Sequence, residues 1–155
     1  EILLFGGVLH IFLNGEDVSE EIRLPEISMA ASAVSAVPEV RAAVLDTQRS
    51  IAETHNVIMD GRDIGTVVLP NAQVKIFLTA APEIRAKRRY DELRAKGKDV
   101  SFDEVLSDLN QRDYNDSHRA AAPLKQADDA VLADTSKLDF EQSVELVCGL
   151  IKEKL

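Results

Sequence analysis

The second half of this chain alternates short apolar runs with helical stretches, and that alternation leaves few folds open. The runs are residues 57–59, 74–78 and 130–132. Helical sequence fills 82–96, Phe102–His118 and 139–154. Strand-then-helix order predicts an α/β layer structure around a parallel sheet, because parallel neighbours need a crossover long enough to hold a helix. The 74–78 run reads as a buried parallel strand. Pro82 starts a helix sharply, and Gly97 ends it with a left-handed cap. Ser101 with Glu104 three residues on forms a capping box. Thr135 and Ser136 prepare the last helix.

The first third reads differently. Ile2–Phe5 and Val8–Leu13 flank Gly6-Gly7, the pattern of a hairpin turn. Asn14-Gly15 marks a second turn, and residues 16–22 form a third short strand or a turn. This small antiparallel unit has too little apolar surface to stand alone. A helix over 26–37 follows, then one over Pro38–Thr54 with Pro38 in its first position. Val40, Val44, Leu45 and Ile51 are its expected apolar stripe.

Composition narrows the function. The 155 residues hold no apolar run near the roughly 20 that span a bilayer, and no signal-peptide pattern opens them. A net charge of −9 argues against a general nucleic-acid or membrane-surface binder. The single cysteine, Cys148, cannot form an internal disulfide, which fits a reducing cytoplasm. It lies in an apolar helical pattern and is expected in the core.

Three segments carry chemistry. Asp60-Gly61-Arg62-Asp63-Ile64-Gly65-Thr66 follows a strand-like run, at the sheet edge where α/β proteins bind ligands. Arg62 suits a phosphate, and Asp63 an amine or a sugar hydroxyl; the same pair would also brace a turn. Arg112, Asp116 and Arg119 share one helix face at i, i+4 and i+7. Two guanidiniums beside a carboxylate suit a ligand with phosphate and hydroxyls, or a surface ion-pair ladder. Arg85, Arg88 and Arg89 suit a mobile flap that closes on a transferring phosphoryl group, or a solvated basic helix face.

Taken in order, GRDIGT, VKIFLTAAPEIRAKRRY, KGKDVSFDEVLSDLNQRDYNDSHR and APLKQADDAVLADTS resemble the bacterial cytidylate kinases. GEDVSEEIR and EISMAASAVSAVPEVRAAVLDTQR resemble the monophosphate-binding part of the same family. The resemblance is collinear over essentially the whole chain. It implies a P-loop-kinase-like parallel sheet flanked by helices. A small antiparallel CMP-binding insert is expected over 1–56, and a partial kinase core over 57–155 with a helical lid about 85–115.

The resemblance also implies roles. Ser32, Arg41 and Asp63 would read cytosine, Arg62 would touch the monophosphate, and Arg112 and Arg119 would lie at the phosphates. Asp116 would hold the sugar hydroxyls, and Arg85, Arg88 and Arg89 would approach ATP. Arg88, Arg112 and Arg119 would act in catalysis. The substrates would be CMP or dCMP and ATP, with Mg2+ arriving on ATP and no metal ligand from this chain. The implied setting is cytoplasmic pyrimidine metabolism, without nucleic-acid or membrane partners.

One departure stands out: nothing in residues 1–155 matches G-x-x-x-x-G-K-[ST]. The expectation is a chain without the P-loop strand and helix, inactive by itself as a kinase. It would be a portion of a longer enzyme, a CMP-binding remnant, or an assembly fragment that self-associates through an exposed sheet edge.

Overall fold

The computed structural model describes residues 2–155. It opens with an antiparallel sheet of β1 (Ile2–Phe5), β2 (Val8–Leu13) and β3 (Glu16–Asp17), in that spatial order. Gly6 and Gly7 both take positive φ at the β1–β2 turn, as a tight hairpin requires. Leu4 pairs with Leu9 and Phe5 with Val8, and all four stay exposed. Only the first two residues of the 16–22 segment pair as a strand; Glu21–Arg23 forms a 3₁₀ turn.

Two helices follow, α1 (Pro25–Ser35) and α2 (Pro38–Thr54), bent 94° at the break between them. Pro38 in the first turn of α2 leaves no donor unpaired there. No residue of α2 is buried, and Val40, Val44 and Ile51 are exposed, contrary to the expected stripe. Periodicity marks a face able to be covered; of this stripe only Leu45 is half-buried.

Residues 57–59 form no strand. Among the described residues none pairs beside them, and Ile58 is 95 % exposed. A single π-helical turn, Ile64–Val68, comes next. Then β4 (Ile76–Thr79) pairs in parallel with β5 (Val131–Asp134), Ile76 opposite Val131 and Thr79 opposite Asp134. The expected parallel sheet is therefore present as two strands. Ala133 is buried, while Leu78 and Leu132 are exposed.

Between those strands lie α3 (Pro82–Ala95) and α4 (Phe102–His118). Gly97 has φ +75° and closes α3: its N–H donates to the Arg94 carbonyl, and the Lys98 N–H to that of Leu93. This is the Schellman arrangement, and the left-handed residue is costly for any side chain with a Cβ. The Ser101–Glu104 capping box opens α4 as expected. Ala86, Leu93 and Val105 are buried between the two helices, with Tyr90, Val100, Phe102, Leu106 and Leu109 around them. The segment expected as a helical lid is a helical hairpin with an apolar core of its own.

The last helix is α5 (Phe140–Lys154). Its cap is Asp139, boxed with Gln142, at the start the sequence led one to expect. Cys148 is exposed, against the expectation of burial. α5 packs against β5, and Phe140 and Val144 of its apolar pattern stay exposed. No single helix there is long and apolar enough to cross a membrane.

Candidate functional site

Burial in this molecule is unusually polar: Ser32, Asp63 and Asp116 are as inaccessible as the apolar core, and Asp116 is only 2 % exposed. A carboxylate leaves water at tolerable cost only when charges and donors surround it. Asp116 meets that condition. Ser32 Oγ donates to its Oδ1 at 2.7 Å, and Arg62 Nε to its Oδ2 at 3.0 Å. Arg112 Nε stands 3.7 Å from Oδ2, and Arg119 Nη1 3.9 Å from Oδ1.

Asp63, the residue before the π-turn, forms the second centre. Arg41 pairs with its Oδ2, and Arg119 Nη2 stands 3.4 Å from Oδ1. Ser35, at the end of α1, ties the two centres: its Oγ accepts from Arg119 Nη1 at 2.9 Å and its carbonyl from Arg41 Nη1 at 3.2 Å. Arg119 also donates through Nε to the Ala122 carbonyl at 2.8 Å. Its guanidinium is thereby fixed from three sides.

Local structure explains why these side chains meet. One helical face of α4 carries Arg112 and Asp116, and Arg119 is its C-cap. Ser32 and Ser35 share the last turn of α1, and Arg41 lies in the first turns of α2. Arg62 and Asp63 precede the π-turn, a distortion common at functional sites. All seven residues expected at the monophosphate, Ser32, Arg41, Arg62, Asp63, Arg112, Asp116 and Arg119, therefore belong to one connected cluster.

Arg112 is the unsatisfied member. Its Nε is the one buried side-chain nitrogen or oxygen without a hydrogen-bond partner among the described residues. Burial holds this guanidinium below the ordinary arginine pKa, and the neighbouring Arg62 charge adds to the effect. An orphaned donor beside a second cation is a place for an anion.

Arg85, Arg88 and Arg89 are not brought to a common point. Arg85 bonds the Ala80 carbonyl at 2.9 Å and pairs with Asp113 at 2.7 Å. Arg88 donates to the Thr135 hydroxyl and to the carbonyls of Thr135 and Leu138. Arg89 pairs with Glu92 and donates to the Arg23 carbonyl at 2.6 Å. The three stand at i, i+3 and i+4 on one side of α3, and it is their separate partners that hold them apart.

Two open grooves lie away from the cluster. One, of about 530 Å³, runs along α4 past Leu106, Asn110 and Tyr114. The other, of about 360 Å³, lies between the π-turn and the 125–129 loop. One participant escaped sequence reading, Ser35, one turn beyond Ser32; spacing alone did not say that its face turns inward.

Two buried carboxylates ringed by arginines form the polar centre of this α/β protein. Comparison with known sequences makes the class specific. The family model described as cytidylate kinase matches residues 4–153, and the chain belongs to that family.

Among curated relatives, a protein named cytidylate kinase from Caldanaerobacter subterraneus subsp. tengcongensis is 54 % identical over 143 residues, 92 % of this chain and 64 % of that protein. One from Fervidobacterium nodosum is 49 % identical over 92 % of this chain and 65 % of its own length. One from Syntrophotalea carbinolica is 50 % identical over 96 % and 63 % respectively. The chain therefore spans somewhat under two thirds of the length of these relatives.

Proposed function

We propose that the seven-residue cluster binds CMP or dCMP for phosphoryl transfer from ATP. One observation carries this reading: Ser32, Arg41, Arg62, Asp63, Arg112, Asp116 and Arg119, spread over four segments of sequence, meet around two buried carboxylates. Family membership supports it, as do the names of the relatives.

The proposed roles are those the family resemblance implies, and their chemistry is consistent. Arg112 and Arg62 repel one another, and a monophosphate between them would relieve that repulsion and satisfy the orphaned Nε. Asp63 would accept the exocyclic amine of cytosine. Uracil presents a carbonyl there, so it would face a carboxylate and leave it unpaired. Asp116 would accept sugar hydroxyls, with Ser32 and Arg41 completing the base site and Arg119 orienting Asp63. Catalysis would consist of positioning and neutralising charge, without a covalent enzyme intermediate.

ATP contacts by Arg85, Arg88 and Arg89 would require each to exchange its present partners for phosphate. Among the described residues no group of three or more His, Cys, Asp or Glu is arranged to hold a metal ion. In the proposed reaction Mg2+ would arrive bound to ATP.

The absence of G-x-x-x-x-G-K-[ST] from residues 1–155 favours a second reading for these residues by themselves: nucleotide binding without transfer. A coupled phosphorylation assay on this chain should show no turnover, and clear turnover would reject that reading. Self-association through the open edges of the β4–β5 sheet is a related proposal, which a clean monomer in light scattering would count against. The site itself is tested by calorimetry with CMP and UMP. CMP should bind more tightly, and Asp63→Ala should abolish the difference. Equal affinities in the unaltered chain would remove the case for cytosine recognition.

A further inference from the structure

Arg49 takes part in none of the contacts described above, yet it grips the element that presents Arg62 and Asp63. Its Nε donates to the Val68 carbonyl at 3.1 Å and its Nη2 to the Val67 carbonyl at 2.8 Å. These carbonyls stand at the end of the π-turn, whose own bonds run from Val68 N–H to Asp63 and from Leu69 N–H to Ile64. A one-turn helix cannot satisfy its last carbonyls internally. The guanidinium fork does so from α2.

α2 therefore touches the turn twice. Arg41 holds the Asp63 carboxylate before it, and Arg49 holds the carbonyls after it. The two arginines stand eight positions apart on the helix, a rise of about 12 Å. A rigid helix gripping both ends sets the angle at which Arg62 and Asp63 face Asp116 and Arg119.

We propose that Arg49 is a positioning residue for the nucleotide site, acting through the backbone of the 64–68 turn. This inference rests on the reading of Arg62 and Asp63 as nucleotide ligands. It adds a residue that is itself too occupied with carbonyls to be a ligand.

The test compares the full chain with Arg49→Ala and Arg49→Lys. Amide hydrogen exchange is read without ligand, and CMP and UMP affinities by calorimetry. Arg49→Ala should speed exchange at Val67, Val68 and Leu69 about tenfold, while the α3–α4 amides keep their protection. It should also narrow the CMP-over-UMP preference. Arg49→Lys should recover only part of both effects, since an ammonium cannot fork onto two carbonyls as a guanidinium does.

Unchanged exchange in the turn would overturn the inference. So would uniform acceleration across the molecule, or an intact CMP-over-UMP preference in Arg49→Ala. If the unaltered chain binds neither nucleotide, the functional reading fails by itself. The exchange data then still decide whether Arg49 holds the turn.

Discussion

Asp116→Asn is the sharpest probe of the buried centre, because it removes one charge and almost no volume. The carboxylate accepts from Ser32 and Arg62 and lies within 4 Å of Arg112 and Arg119. Asparagine would keep one acceptor and turn an NH₂ toward a guanidinium. Removing one partner from a buried ion pair costs about 3–5 kcal/mol. Arg62 and Arg112 are each about one-third exposed, so water screens part of that loss. The lower end, about 3 kcal/mol, is the expected destabilisation. With a urea slope of about 2 kcal/mol/M, the unfolding midpoint should fall by about 1.5 M. Ser32→Ala alone should cost about 1 kcal/mol, and a double-mutant cycle should show coupling between the two. An Asp116→Asn midpoint within about 0.3 M of the unaltered chain would refute the claim that this charge organises the centre.

Other expectations follow from different parts of the molecule. Leu93→Ala opens a cavity between α3 and α4 and should lower stability by about 3 kcal/mol in the same urea titration. Gly97→Ala places a Cβ at φ +75° and should cost about 1 kcal/mol, seen as a lower thermal midpoint. The Asp17 carboxyl is held down to about 2, chiefly by the Ser19 hydroxyl and then by His10. Since this pKa is depressed, the contribution of Asp17 is complete above the ordinary 3.8 and disappears as pH falls through about 2. A carboxyl NMR titration should find that midpoint, and Ser19→Ala should raise it.

Much of the helical content was legible because the signals were local. Pro38, Gly97 and the Ser101–Glu104 box act within one turn of the residues they govern, and each appears as the sequence predicts. Arg112 and Asp116 also needed only helical spacing to fall on one face, which Arg119 joins from the C-cap. The failures were of another kind. Residues 57–59 look like a strand, but a strand exists only beside another. The stripe on α2 and Cys148 on α5 look like core, but a face is buried only when something covers it.

The sequence by itself therefore determined where helices start and stop, which charged residues share a helix face, and, through GRDIGT and RDYNDSHR, the family. Tertiary structure decided which partners those charges take. It joined Ser32 to Asp116 across 84 residues, gave Ser35 and Arg49 their tasks, and sent Arg85, Arg88 and Arg89 to three separate anchors. The physical reason is range. Capping and periodicity are settled within a few residues, whereas the fate of a buried charge depends on whatever the rest of the chain brings within hydrogen-bonding reach.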